Sequence, residues 1–237
     1  MGMDILNRLT LFSYFDYGAL ALIFVLWLVI GWRIEHPSKK HASVSVLMAG
    51  YRREWMRQMV TRDPRIYDAT ILGNLRQGTA FFASASMISI GGVLALVGNT
   101  EQLIGFADDL TLNQDPRIVW ELKLMVTLFF VTNAFLKFVW SNRLFGYCAV
   151  LMSSVPNEVD DPRTMPRAMQ AAEINITAAR GFNRGLRSVY FGLASAAWLA
   201  GPLALVAASL VTCLVLWRRE FASQSRDVLL SGDAHRA

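Results

Sequence analysis

The chain is poor in charged residues, in cysteine and in histidine. Asp, Glu, Lys and Arg make up 17% of its 237 residues, compared with about 25% in soluble domains. Its two cysteines and three histidines form no motif with metal-ligand or redox spacing. It also lacks a phosphate-binding loop, a dinucleotide fingerprint, a nucleophile elbow and a zinc-protease motif. We therefore expect a protein that is not an enzyme and that holds no metal ion and no cofactor.

Apolar residues dominate the chain instead. They make up 54% of the sequence, and the mean hydropathy is +0.36. They concentrate in runs of about 20 residues, the length that crosses ~30 Å of hydrocarbon at ~1.5 Å per residue. The pattern predicts an all-α, polytopic membrane protein with four transmembrane helices at residues 17–32, 79–98, 120–140 and 189–217. The last run is long and contains Gly201-Pro202, and we expect tilt or a proline kink to accommodate it.

Basic residues are distributed unevenly between the predicted loops. Residues 33–76 contain nine Lys or Arg and residues 141–188 contain six, whereas residues 99–119 contain only Arg117. Loops rich in Lys and Arg remain in the cytoplasm. The two basic segments, loops 33–78 and 141–188, are therefore predicted to be cytoplasmic.

Four crossings determine where the two ends of the chain lie. The N-terminal segment 1–16 and the tail 218–237 would both be external, on either side of a membrane domain at 17–217. Arg218 and Arg219 fit an external tail poorly. The alternative is an odd number of spans, with the tail inside.

The excess of basic residues also indicates partners. The formal net charge is +5 and the isoelectric point is near 9.5. Cytoplasmic loops that face anionic lipid already account for such a charge. We therefore expect membrane lipids with anionic headgroups at the cytoplasmic face as partners, and no nucleic acid.

A helix-start motif extends the second span into the cytoplasm. Asp63-Pro64-Arg65 places an N-cap residue before a proline at the first helical position. From there the sequence predicts one helix of about 34 residues, roughly 50 Å long, that continues through the second span. The same motif occurs in the second cytoplasmic loop as Asp161-Pro162-Arg163.

A faint internal similarity suggests a repeat. Arg76 precedes Ala83-Ser84-Ala85 by seven residues, and Arg187 precedes Ala194-Ser195-Ala196 by the same distance. Two spans per unit would give both units one orientation, a possible parallel two-helix repeat. Chance is the alternative, since Ala and Ser are common.

The first cytoplasmic loop contains an amphipathic segment. Its apolar residues fall on one helical face, away from Arg52, Arg53 and Arg57. The helix would lie in the headgroup layer or pack on the ends of the other helices. The apolar face consists of Val44, Leu47, Met48, Tyr51, Trp55 and Met59.

Polar residues form a stripe in the third span. Lys123, Asn133 and Lys137, with Thr127, fall within a sector of about 120°. Ionisable groups at membrane depth usually face a bundle interior or a water-filled cavity. One interpretation is a pathway for a small anionic solute in an oligomeric channel or transporter. The other is that the lysines reach the interfaces and Asn133 makes an interhelical hydrogen bond.

Small residues recur every four positions in the fourth span. Helices in lipid associate where small residues allow their backbones to approach. The ridge predicts tight helix packing, and with it a homo-oligomer or a membrane-protein partner. Its members are Gly192, Ala196, Ala200, Ala204 and Ala208.

Several dispersed blocks resemble the membrane-protein family catalogued as domain-of-unknown-function number 599, which is found in bacteria and plants. The resemblance covers roughly residues 15 to 217 and leaves the tail from Glu220 outside it. It implies a bacterial multi-span protein, hence one of the cell inner membrane, and no known activity, cofactor or partner. The blocks are Trp55-Met56 with Arg65-Ile66 and Asp68, residues 79–84, residues 134–141 with Arg143 and Tyr147-Cys148, and residues 182–187 with Tyr190-Phe191.

These blocks meet at the cytoplasmic ends of the predicted spans. We interpret them as a cationic and aromatic collar that binds a lipid headgroup or another anion. Ordinary interfacial anchoring by basic and aromatic residues is the alternative. The protein would accordingly be a structural, interaction or lipid-binding component. The collar consists of Arg76, Lys137, Trp140, Arg143, Tyr147, Asn183, Arg187 and Tyr190.

Overall fold

The fold is a bundle of helices. A computed structural model describes residues 11–38, 41–101, 104 and 116–234, and no strand occurs among them. Within these ranges four helical segments are long and apolar enough to cross a membrane, namely Tyr14–Glu35, Ile66–Gly98, Arg117–Ser153 and Pro202–Ser231. The predicted all-α membrane fold with four such helices is confirmed. The helices are α1 (Tyr14–Glu35), α2 (Val44–Val60), α3 (Ile66–Gly98), α4 (Arg117–Ser153), α5 (Thr164–Ala196), a 3₁₀ turn (Ala197–Ala200), α6 (Pro202–Phe221) and α7 (Gln224–Ala234).

Helices α3 and α5 both pack on α4 and run antiparallel to it. Arg65, just before α3, donates to the carbonyl oxygens of Val155 and Pro156, both at 2.8 Å, just after α4. We call this end of the bundle, where α1 and α6 end and α3 and α5 begin, the basic end. The opposite end, where α1, α4 and α6 begin, is the acidic end.

The interior consists of two separate apolar cores. One core lies among α1, α4, α5 and α6 and includes the buried side chains of Ile23, Phe130 and Phe191. The other lies at the basic end, where Met56 and Met59 of α2 meet α3, α4 and α5. Since α3, α4 and α5 contain 33, 37 and 33 residues, each exceeds the ~30 Å of a hydrocarbon layer by about 20 Å. The second core occupies the excess length.

The predicted long helix is present as α3, but its start differs from the prediction. Arg65 is the N-cap residue and makes no side-chain capping hydrogen bond. Asp63 is therefore not the cap, because Arg65 keeps a non-helical conformation with φ −85° and ψ 27°. Asp161 likewise does not cap α5. Its carboxylate accepts the backbone N–H of Arg163 at 2.8 Å, and the helix begins one residue later.

The predicted fourth span is two helices rather than one. Gly201 has a φ of +109°, a backbone conformation open to glycine, and Pro202 then opens α6 as proline does at a first helical position. Arg219 donates a hydrogen bond to the Tyr190 hydroxyl and lies 5.7 Å over its ring, so α6 folds back along α5. The single span 189–217 is therefore wrong, because the Gly-Pro pair reverses the chain instead of kinking it.

The reversal also divides the small-residue ridge. Gly192 and Ala196 lie on α5, whereas Ala204 and Ala208 lie on α6, which runs in the opposite direction. Ala200 belongs to the 3₁₀ turn between them. The predicted continuous ridge is wrong because a four-residue period describes one surface only on an unbroken helix.

The tail lies at the basic end rather than beside the start of α1. Ser45 donates from its backbone N–H and its hydroxyl to the Glu220 carboxylate at 3.0 and 2.9 Å. Arg226 donates to the Ala42 carbonyl oxygen at 2.9 Å. At the acidic end, Trp198 donates to Asp16 at 2.8 Å. The start of α1 and the tail thus lie at opposite ends of the bundle, because the hairpin of α5 and α6 adds a reversal; residues 1–10 lie outside the described part.

Candidate anion-binding sites at the basic end

The polar stripe of α4 divides into separate environments. Lys123 is buried, with 4% of its surface exposed, and its Nζ lies 5.5 Å from the centre of the Trp120 ring. It also interacts electrostatically with Asp16. Lys123 therefore belongs to the acidic end. Lys137 is 14 positions further along the helix, about 21 Å at 1.5 Å per residue, so the two lysines do not form one site.

Asn133 makes a contact between helices. Its Oδ1 accepts a hydrogen bond from the Ser188 hydroxyl of α5 at 3.1 Å. Nearby, the hydroxyls of Thr127 and Ser195 lie 2.9 Å apart. Both contacts join α4 to α5, as the interhelical hydrogen-bond interpretation of the stripe predicts.

A cluster of buried charges joins α1 to α5 at the basic end. Glu35 accepts two hydrogen bonds from Arg184, from Nε at 2.9 Å and from Nη2, and a third from Arg187. The side chains of Glu35 and Arg187 are 13% and 7% exposed. Glu35 and Arg184 were absent from the sequence-based site. The sole signal for Glu35 was an acidic residue at the basic end of an apolar run.

Lys137 lines a groove beside this cluster. The groove has a volume of about 340 Å³ and lies between α1, α4 and α5. Among the described residues Lys137 has no carboxylate partner within salt-bridge distance. We call this feature the headgroup groove; its walls are Trp27, Leu28, Gly31, Trp32, Glu35, His36, Asn133, Lys137, Arg184, Arg187 and Ser188.

The other members of the predicted collar lie in separate places. Arg143 donates to the Tyr147 hydroxyl at 2.6 Å on the surface of α4, one turn from the exposed Trp140. Arg76 lines a different cavity, beside Arg65. Tyr190 accepts from Arg219. Of the eight collar residues, the structure brings Lys137 and Arg187 together in the headgroup groove.

A larger cavity lies on the other side of Arg187. It has a volume of about 430 Å³ and separates α2, which packs on α5, from α3, which packs on α4. Asn183, another collar residue, lines it and donates to the Ser45 hydroxyl at 3.3 Å. We call it the α2 cavity; its polar lining consists of Glu35, Ser45, Arg52, Asn74, Thr79, Arg180, Asn183, Arg187 and Glu220.

Arg52 is one of several residues of the α2 cavity that were absent from the sequence-based site. Its guanidinium donates to the amide oxygen of Asn175, and burial lowers the pKa of the Arg52 guanidinium. The amphipathic pattern placed Arg52 away from the packed face of α2. The structure shows that Arg52 instead reaches α5, the helix on which α2 packs.

These features define a polytopic helical membrane protein with a basic end and an acidic end. A family model described as "Protein of unknown function, DUF599" matches residues 18–225, and the chain belongs to that family. The resemblance found in the sequence is thus confirmed. The match ends at residue 225, somewhat beyond the expected limit near residue 217, and the rest of the tail lies outside it. No curated protein and no solved structure matches the chain.

Proposed function

We propose that the protein is a non-enzymatic component of the bacterial inner membrane that binds anionic lipid headgroups at its basic end. The observation that carries the proposal is the headgroup groove. There Lys137, without a carboxylate partner among the described residues, lies beside Leu28 and Trp32, whose surfaces are 61% and 62% exposed. A cation next to an exposed apolar surface suits a phosphate attached to an acyl chain.

The orientation that this function needs is a cytoplasmic basic end. The two segments rich in Lys and Arg, residues 33–76 and 141–188, reach this end. Arg218 and Arg219, which conflicted with an external tail, lie at the end of α6 and so belong to the same end. The basic residues then agree with the positive-inside rule, and the anionic inner leaflet surrounds the groove.

The charges of the groove leave Lys137 available to a ligand. Arg184 and Arg187 both hydrogen-bond to Glu35, which offsets part of their charge. Trp27 and Trp32 of α1 provide the amphipathic ring surface typical of the membrane interface. We expect the headgroup phosphate at Lys137 and an acyl chain along Leu28.

Replacement of Lys137 tests the proposal. The Lys137→Gln variant removes the charge and keeps a side chain of similar length. We expect phosphatidylglycerol to raise the melting temperature of the wild type in detergent more than phosphatidylcholine does, and this difference to fall at least severalfold in the variant. Arg143→Gln is the matched control, because Arg143 lies on the same helix outside the groove. An equal lipid effect in the wild type and Lys137→Gln would contradict the proposal.

A further inference from the structure

We propose that the α2 cavity is a second binding site, specific for a phosphate-like oxyanion, with the guanidinium of Arg52 as its main ligand. This site is distinct from the headgroup groove. The groove opens between α1, α4 and α5, whereas the cavity lies between α2, α3 and α5. Arg187 lines both.

Arg52 differs from two other arginines of the helical segments at the basic end, Arg53 and Arg62. Arg53 pairs with Glu173 at 2.6 Å, and Arg62 pairs with Asp68. Arg52 instead donates to a neutral amide, that of Asn175. Within the part of the chain that the structure describes, no carboxylate lies within salt-bridge distance of it. Arg52 is partly buried, and an anion stabilises a cation that is partly removed from water; a bound oxyanion would supply that charge.

The shape and donors of the cavity suit such an anion. A guanidinium has five N–H donors in a planar fork that matches a phosphate, and the known contact of Arg52 uses one of them. Arg180, Asn74 and Asn183 provide further donor groups along the same lining. The volume of about 430 Å³ falls in the range of ~300–1,000 Å³ found for small-ligand pockets.

The two carboxylates of the cavity are already engaged. Glu220 accepts two hydrogen bonds from Ser45, and Glu35 accepts from Arg184 and Arg187. The lining therefore has three arginines against two glutamates, each of which has its own donors.

The phosphate group bound in the cavity could come from either of two kinds of ligand. Val46 and Met48 of α2 also line the cavity and are 40% and 38% exposed, so the cavity is close to the protein surface. The oxyanion is either the phosphate of a lipid headgroup or a free phosphate compound. Both would contact Arg52 through phosphoryl oxygens.

The free-phosphate arm of the test uses inorganic phosphate and the full chain purified in detergent. We expect phosphate to raise the melting temperature of the wild type relative to chloride at equal ionic strength. Arg52→Gln should weaken phosphate binding about tenfold or more, because a charge-assisted fork is lost. Arg53→Gln is the matched control, one position away on the same helix and exposed, and should bind as the wild type does. Lys137→Gln, which tests the groove, should also leave phosphate binding unchanged.

The lipid arm measures retained phosphatidylglycerol by native mass spectrometry. The ligand is a headgroup if two results are found together. Phosphate leaves the melting temperature of the wild type unchanged, and Arg52→Gln retains less phosphatidylglycerol than the wild type whereas Arg53→Gln retains as much. A wild type that neither responds to phosphate nor retains phosphatidylglycerol above phosphatidylcholine overturns the proposal, whether or not Arg52→Gln folds. Equal behaviour of the Arg52 and Arg53 variants overturns it as well.

Discussion

Individual buried polar residues determine how the helices join at the basic end. Asn133 was predictable, because a polar side chain deep in an apolar run needs a partner on another helix. Glu35 was not predictable, because its partner Arg184 is 149 positions away and the contact exists only once α1 and α5 are adjacent. Arg52 was missed for a related reason, since its partner Asn175 is 123 positions away on α5.

Replacement of Glu35 should destabilise the bundle. Glu35→Gln keeps the shape of the side chain but leaves Arg184 and the buried Arg187 without their counter-charge. Removing one member of a buried ion pair costs about 3–5 kcal/mol, and we expect a loss near the lower limit because Arg184 is partly exposed. The free energy of unfolding in mixed detergent micelles measures it.

Glu54→Gln is the control for the Glu35 variant. Glu54 accepts from Arg57 on the exposed face of α2, and exposed pairs contribute about 0–1 kcal/mol. If the two variants lose equal stability, the buried cluster does not hold α1 to α5 as we describe.

The helices and their connections could be predicted from the sequence only in part. The length of α3 was predictable, because apolar and amphipathic residues continue without a break from the loop into the second span. The hairpin of α5 and α6 was not, because hydropathy does not tell whether Gly201-Pro202 kinks a helix or reverses it. The positive φ of Gly201 decides that question, and it depends on the packing of α6 against α1 and α5.

The packed face of α5 includes two glycines, Gly181 and Gly185, that the predicted small-residue ridge did not contain. A Cβ built on Gly185 would lie 2.6 Å from Cε1 of Phe138 and one on Gly181 would lie 3.5 Å from Cβ of Ser141. The signal was available, because Gly181 and Gly185 are four residues apart, the spacing of small residues at helix contacts in membranes. The ridge predicted from the sequence began at Gly192, after both of these glycines.

Substitution of Gly185 by alanine should therefore loosen α5 from α4. Phe138 is fully buried, so its ring has little room to move away from an added methyl group. We expect a loss of about 1–3 kcal/mol, the usual cost of overpacking a core, in the free energy of unfolding.

Gly146→Ala on α4 is the matched control. A Cβ at Gly146 meets no heavy atom within 4 Å, and alanine favours a helix over glycine by about 1 kcal/mol. This variant should be as stable as the wild type or more stable. A Gly185→Ala protein of unchanged stability would contradict the close approach of α4 and α5.

The two ends of the whole molecule differ, one basic and one acidic, and no single helix shows this difference. The apolar core of α1, α4, α5 and α6 suits the hydrocarbon layer, and the second core and both cavities lie toward the basic end. The class of protein and its family followed from composition and residue blocks. The side on which the tail lies did not, because the number of reversals depends on the hairpin.

Reporter fusions test this polarity in cells. We expect green fluorescent protein after the tail to fluoresce and alkaline phosphatase at the same position to be inactive, because both report a cytoplasmic tail. A phosphatase fused after Gly98, at the acidic end of α3, should be active and is the control. Phosphatase activity after the tail would contradict the hairpin orientation.

The most direct test of lipid binding at the basic end is native mass spectrometry of the protein extracted with its own membrane lipids. The wild type and Arg143→Gln should retain anionic phospholipid in preference to zwitterionic phospholipid, and Lys137→Gln should retain severalfold less. Equal retention in all three proteins, or no preference for anionic lipid in the wild type, would contradict a headgroup site at Lys137.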